Sequence, residues 1–259
     1  MAPPTDRRDL ADLLAEAGFV AAEEEADELA DRAAGDSGLL AALVARRLTG
    51  EPLAWITGTS TFCGQEVRVE PGVYVPRWQS ELLAQRAVER LPATGIAVDV
   101  CTGTGALAHV LALARPGARV VATDLDPQAV ACAGSNGVEA YRGDLFDPVP
   151  ADLRGRVDVL VGVVPYVPTA ALSLLQRDTF AFESPLSYDG GDDGAAVLRR
   201  VVAGGARVLR PGGALLVELG GEQADLLAGD LSHHGYVDVQ VLVDDDDDVR
   251  GIEATLAPD

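Results

Sequence analysis

The stretch VDVCTGTGAL, residues 98–107, ends an apolar run in a turn with two glycines and then opens a helix. Gly103 and Gly105 carry no Cβ, so the backbone amides of such a turn can approach a ligand closely. The next apolar run ends in Asp124, where a carboxylate is placed to accept hydrogen bonds from both hydroxyls of a ribose. Asp144 follows the third run and is placed to read an adenine amino group. A glycine turn alone can do no more than pack a helix on a strand. A glycine turn with acids at the ends of the next two strands points to a ligand that carries adenosine. This turn reads Cys101-Thr102-Gly103-Thr104-Gly105, without the third glycine of a dinucleotide turn, and Asp99 precedes it. Those features suit a ligand that has a ribose and an adenine but no pyrophosphate. S-adenosylmethionine is such a ligand, and its sulfonium and amino group suit Asp99 and an acidic cleft. A dinucleotide-dependent oxidoreductase is the rival reading.

A second stretch, DVLVGVVPYVP at 158–168, begins as a buried strand and runs through Val163-Val164 into Pro165-Tyr166, with Pro168 close behind. Strands of this kind ordinarily finish in a polar loop, so two valines at its end bear on the chemistry.

The elements that must hold these residues follow from periodicity. Leu10, Leu13, Leu14 and Ala17 share a helical face that Gly18 stops; a second, acidic helix ends at Gly35. A third has Asp36 or Ser37 as its cap and Gly50 as its stop. TFCGQEVRVEPGVYVP alternates Val67 and Val69 against Glu66, Arg68 and Glu70, which predicts a β-hairpin or an extended linker. From residue 96 strands and helices alternate, the pattern of a doubly wound, mostly parallel sheet covered on both faces, and YVDVQVLVD with RGIEATLA predicts a closing hairpin. The organisation is a helical domain over 1–54, a hairpin linker over 55–77 and a Rossmann-like α/β domain over 78–259.

In this order the segments resemble the HemK/PrmC type of protein-(glutamine-N5) methyltransferases. GEPLAWITGTSTFCGQEVRVEPGVYVPRWQSELL is similar to the region that precedes their catalytic domain, and DVCTGTGALA to their donor loop. TDLDPQAV and GDLFDPVP resemble their ribose and adenine strands; FESPLSYDGGDDGAAVLRRVV and LRPGGALLVELGGEQ resemble two later segments. The likeness runs from about residue 40 to 257. It implies a seven-stranded methyltransferase sheet with one antiparallel strand, and donor binding at the carboxyl ends of its first two strands. It also implies a donor site of Asp99, Cys101, Gly103, Gly105, Asp124, Asp144 and Val163, with Cys101 where the family has glycine. Pro76-Arg77 match a Pro-Arg pair, and Trp78 replaces the proline that follows it.

The family's acceptor loop is Asn-Pro-Pro-Tyr, and here it is Val163-Val164-Pro165-Tyr166. An amide nitrogen is a poor nucleophile because its lone pair is delocalised, so an asparagine oxygen and a backbone carbonyl must orient it. Val163 supplies no such oxygen. One lost hydrogen bond of this kind costs on the order of 1–3 kcal/mol, or ~10- to 200-fold in rate. Val164, Pro165, Tyr166 and Glu183 are therefore the candidate acceptor-side residues. Either Gln176 or Glu183 replaces the missing oxygen, or the acceptor is a small molecule or a peptide and no longer an amide. Three further outcomes stay open: retained methylation of a release factor glutamine, valines that merely extend the fourth strand of a protein that no longer catalyses, and a noncatalytic partner-binding protein that uses the acidic helices and binds the donor without turnover. Glu183 is read either as lining the acceptor cleft or as an exposed helix cap.

The formal charge is −21 and every basic residue but the histidines is arginine, which argues against nucleic acid or anionic membrane as partner. Cys63, Cys101 and Cys132 have no CxxC spacing, and with only His109, His233 and His234 a metal site is not expected. The three thiols and the lack of an apolar leader suit the cytoplasm. The run Asp244 to Asp248 is read as a solvated loop. Nothing in the sequence fixes an oligomeric state.

Overall fold

The structure, a computed structural model, describes residues 6–175 and 182–258. The described residues divide into two compact units, one of 6–59 with 182, the other of 60–175 with 183–258.

The first unit holds helices α1 (Arg7–Glu16), α2 (Ala22–Ala33), α3 (Ser37–Arg47) and α4 (Leu53–Thr57). Asp6 caps α1 through the Asp9 amide, and Asp36, not Ser37, caps α3 through the amides of Gly38 and Leu39. Leu10, Leu14, Leu29, Leu43, Val44 and Ile56 form its core. The guanidinium of Arg47 is held by both oxygens of Glu25, at 2.6 and 2.9 Å. The short α4 falls where the alternation of valines further on predicted only hairpin or linker. Pro52 opens it and Gly58, at φ 86°, ends it.

The second unit opens with a two-stranded hairpin, β1 (Thr59–Phe62) and β2 (Gln65–Arg68), turning on Cys63 and Gly64, both at positive φ. Helix α5 (Glu81–Arg90) leads into alternating elements: β3 (Ile96–Val100), α6 (Ala106–Ala114), β4 (Arg119–Asp124), α7 (Pro127–Ser135), β5 (Glu139–Arg142) and β6 (Val157–Gly162). After them come α8 (Ala196–Gly205), β7 (Leu209–Glu218), α9 (Gln223–His233), β8 (Tyr236–Val243) and β9 (Val249–Leu256). The sheet has the order β5-β4-β3-β6-β7-β9-β8, and β9 runs antiparallel to both its neighbours while the pairs from β5 to β7 are parallel.

Period-2 alternation sorts the strand residues between the two faces. Val98, Leu160, Leu215 and Val217 pack with Leu198 and Val201 of α8 and Leu227 of α9. Ala97, Val159, Val161 and Leu216 pack with Leu83 of α5 and Leu111 of α6. The central strands are thus buried on both sides, and their carboxyl ends all open along one edge.

One expectation fails here. Strand β6 stops at Gly162, so Val163 and Val164 do not extend it. A Cβ at Gly162 would meet the Val100 carbonyl oxygen at 2.8 Å, and past this close approach the chain leaves the sheet.

Candidate active site

After β3 the chain must reverse within five residues to start α6. Cys101, Gly103 and Gly105 take positive φ of 57°, 57° and 79°. For Cys101 that is a conformation costing roughly 1–2 kcal/mol relative to glycine. The turn is fixed by Thr102 N–H to the Thr123 carbonyl (3.1 Å) and Gly105 N–H to the Thr102 carbonyl (2.8 Å). Asn136, the chain's lone asparagine, donates to the carbonyls of Thr104 (2.9 Å) and Arg68 (3.0 Å), tying the hairpin to the turn. Gly105 does not reach the cavity: a Cβ there would stand 2.9 Å from Ala133 Cβ, so it is glycine to let α6 and α7 meet.

Asp99 is fully buried beneath the turn and does not line the cavity either. Its Oδ2 accepts from Thr102 Oγ1 at 2.5 Å, and its Oδ1 has no hydrogen-bond partner. Burial raises its carboxyl to about 7, with the charge of Asp124 pushing the same way and the Thr102 hydroxyl opposing.

A cavity of about 510 Å³ opens at the carboxyl ends of β3, β4, β5 and β6. Of the sequence-predicted residues, Cys101, Gly103, Asp124, Asp144, Val163 and Pro165 line it. Asp124 Oδ2 accepts from the Gly103 amide and Oδ1 from the Asp126 amide, both at 2.9 Å, and burial raises its carboxyl. Asp144 Oδ2 takes the Arg200 guanidinium at 2.7 Å, which turns Oδ1 free for a donor. Asp126 and Asp189 bring further negative charge, and among the described residues Arg200 is the one cation that lines the cavity. Four lining carboxylates, two of them at the ends of β4 and β5, fit a cationic adenosyl ligand.

Val164 is 1% exposed and joins the core, whereas Val163 faces the cavity. Tyr166 is held outside the lining: its hydroxyl donates to Glu218 Oε1 (2.9 Å), and its carbonyl accepts from Gln223 Nε2 (2.6 Å). Glu218 is 4% exposed, and its other oxygen accepts from Ser80 Oγ at 2.5 Å. Gly190 and Gly194 cross this loop so closely that a Cβ on Gly190 would stand 2.8 Å from Tyr166 Cα. That close crossing is the reason for glycines in the GGDDG segment. Val167 and Gly190 complete the crossing, since Gly190 N–H donates to the Val167 carbonyl at 2.8 Å.

Glu183 is neither an exposed cap nor a cavity residue. It is 2% exposed, with Oε1 on the Val75 amide (2.7 Å) and Oε2 on Arg77 Nη2 (2.6 Å) and the Tyr188 hydroxyl. Burial raises its carboxyl, and these three partners oppose the rise. Glu183 therefore clamps the Val75–Arg77 segment to the loop that backs Tyr166, and Tyr188 belongs to the same clamp. Gln176 lies outside the described residues.

Sequence reasoning missed Glu218, Gln223 and Tyr74, the last of which lines the cavity. The lone carboxylate inside the apolar run ALLVELG was the signal for Glu218. In the aspartate run, Asp244 and Asp248 hold the Arg250 guanidinium, at 2.6 and 3.1 Å. Among the described residues no group of three His, Cys, Asp or Glu side chains could hold a metal ion, and no helix is long and apolar enough to cross a membrane.

No family model matches the chain. It is 38% identical over 202 residues to the release factor glutamine methyltransferase of Geobacter sulfurreducens, covering 76% of this chain and 70% of the relative. It is 36% identical over 195 residues to the 4-amino-L-phenylalanine/4-methylamino-L-phenylalanine methyltransferase of Streptomyces pristinaespiralis, covering 70% and 65%. Among solved structures it resembles the E. cuniculi Mtq2–Trm112 complex, responsible for methylation of the eRF1 termination factor, at 26% identity and a TM-score of 0.52. That match covers 72% of this chain and 99% of the solved one. A dinucleotide-dependent oxidoreductase finds no support in these relatives.

Proposed function

Since the chain belongs to the HemK/PrmC family of release factor glutamine methyltransferases, we propose that it methylates a nucleophile other than the release factor glutamine, carried by a small molecule or a peptide. It is an S-adenosylmethionine-dependent methyltransferase. The donor supplies an electrophilic methyl group when bound.

The residues of the turn and the strand ends do the holding. Gly103 and Cys101 bring backbone close to the donor, Asp124 accepts from its ribose, and the free oxygen of Asp144 accepts from its adenine amino group. The single observation that carries the changed acceptor is Val163, whose side chain lines the cavity without an oxygen to orient an amide. The loop backbone is nonetheless firmly held, from Gln223 on the Tyr166 carbonyl to the glycine crossing. A loop clamped in place but stripped of its amide-orienting group suits transfer to a different nucleophile. The Streptomyces pristinaespiralis relative, named for a free amino acid substrate, agrees with a small acceptor.

Retained glutamine methylation is the second reading, favoured by the names of most curated relatives. Its setting in either case is a reducing cytoplasm, in keeping with three free cysteines.

One experiment separates the readings. Calorimetry with S-adenosylhomocysteine should show one site per chain, weakened at least tenfold by Asp124→Ala. The protein and labelled donor are then incubated with a release factor that carries its Gly-Gly-Gln loop. Methylation at a rate usual for the family refutes the changed acceptor. If the release factor is not methylated, Val163→Asn with Val164→Pro should restore part of the activity.

A further inference from the structure

We propose that the acceptor is carried by a cationic peptide segment, whose lysine or arginine side chains dock on the exposed indole of Trp78 beside the turn Asp244–Asp248. This rests on the methyl-transfer reading above and chooses the peptide from the two carriers left open there.

The docking surface lies on the same edge of the sheet as the cavity. The cavity covers the carboxyl ends of β5, β4, β3 and β6, and the acceptor loop follows β6. Next in the sheet comes β7, which ends at Glu218, and then β9 and β8. Strand β9 is antiparallel to β7, with Gly251 opposite Glu218, so β9 begins at this edge. Val243 pairs with Val249, which sets the turn Asp244–Asp248 at the edge as well.

Trp78 is carried to this place by its neighbours in the chain. Arg77 donates to Glu183 Oε2 (2.6 Å) and to the Tyr188 hydroxyl (3.2 Å). Ser80 donates to Glu218, whose other oxygen holds the Tyr166 hydroxyl. The Trp78 ring itself lies against Arg250, with the guanidinium carbon 5.3 Å from the ring centroid, and Asp244 and Asp248 hold that guanidinium in turn. Trp78 and the aspartate run, far apart in sequence, therefore meet through Arg250.

Single apolar side chains on a surface are ordinary. Trp78 differs in being a large ring that is 63% exposed and yet fixed, by bonds on both sides of it in the chain and by the guanidinium against its ring. A ring held in advance loses little freedom when a partner covers it, which is why tryptophan so often anchors an interface. Charge selects the partner. Asp244 and Asp248 engage Arg250, and Asp245, Asp246 and Asp247 stand exposed beyond them. A lysine or arginine gains from the indole face and from these carboxylates together. A second copy of this chain, at −21 overall, is repelled from the same surface.

The span selects a peptide. Neighbouring strands lie about 4.8 Å apart, so β9 is about 10 Å and β8 about 14 Å from β6 along the edge. Trp78 stands outside the cavity lining, and an acceptor the size of one amino acid seated at Val163 does not reach it. An extended peptide rises about 3.3 Å per residue, which puts a basic side chain about three or four residues from the methylated one at this surface.

The test is a titration of the full chain, saturated with S-adenosylhomocysteine. The probes are a peptide of alternating glycine and lysine, about eight residues long, and its glycine–glutamate counterpart. The indole N–H resonance of Trp78, identified by its loss in Trp78→Phe, should move with the lysine peptide and stay in place with the glutamate one. By fluorescence anisotropy of the labelled lysine peptide, Trp78→Ala should weaken binding about fivefold, and Trp78→Phe less. Asp245→Asn with Asp246→Asn should weaken it about threefold. Asp147→Asn with Asp152→Asn, in the connection from β5 to β6, removes the same charge and should change it less than about 1.5-fold. A lysine peptide that does not bind, a Trp78 resonance that does not move, or equal weakening by the two aspartate pairs overturns the inference. No methyl transfer is read in this titration, so the changed nucleophile stands or falls separately on the release factor assay.

Discussion

Asp99→Asn should reverse part of the pH dependence of stability. The carboxyl of Asp99 is buried under the donor turn and raised from 3.8 to about 7, chiefly by loss of solvent. Between those values the folded chain keeps a proton that the unfolded chain has released. Stability is therefore lost as pH rises from about 4 to about 7, and the full loss is in place above that. Three pH units at 1.36 kcal/mol each give on the order of 4 kcal/mol, of which about 3 kcal/mol falls between pH 5 and pH 8. Asparagine can keep the Thr102 bond through its side-chain oxygen but cannot titrate. Urea unfolding at pH 5, 6, 7 and 8 should show the variant gaining on the natural chain by about 3 kcal/mol across the series. Glu183 and Glu218 are raised as well and tilt both proteins alike, so the difference reads Asp99 together with its charge coupling to Asp124. Parallel stability curves for the two proteins would refute the assignment.

Glu183→Ala strands the Val75 amide, the Arg77 guanidinium and the Tyr188 hydroxyl. It should cost about 3 kcal/mol in urea unfolding, with Glu183→Gln losing less, and a loss under 1 kcal/mol would contradict the clamp. Gly194→Ala places a Cβ against the Tyr166 carbonyl oxygen at φ 74°. Methyl transfer should fall at least tenfold while S-adenosylhomocysteine affinity changes less than about threefold. Asp144→Ala should weaken that affinity about tenfold, whereas Arg200→Ala, which breaks a half-exposed pair, should weaken it less than about fivefold; calorimetry reads both.

The donor side was legible because its chemistry is local in sequence. A glycine turn between a strand and a helix, with acids on the next two strand ends, is written in short spacings, and the structure sets Gly103, Asp124 and Asp144 around one cavity. What could not be read depends on distant partners. Gly105 looks like a ligand-facing glycine until Ala133 is seen against it. Val163 and Val164 read as more strand, since period-2 patterns do not mark where pairing ends; the pairing ends at Gly162, opposite Val100 on the neighbouring strand. Glu183 carries no local sign that its partners sit on Val75 and Arg77. Helix α4 is too short for periodicity to distinguish from a linker.

The clamp has a consequence for the order in which the site can assemble. The donor turn is held by Thr123, Asp124 and Asn136, all within the next few dozen residues of chain. The acceptor loop depends on Glu183, whose bond to Val75 closes a loop of 108 residues, and on Glu218 and Gln223 further on. Closing such long loops is slow and yields no reward until the last partner arrives. A chain emerging from the ribosome has made every group of the donor turn by residue 144, yet cannot lock Tyr166 until residue 223 has been added. Refolding followed by pulsed hydrogen exchange should accordingly protect the Gly103 amide before that of Val75, so that the nascent enzyme has the means to hold a donor before it can present an acceptor.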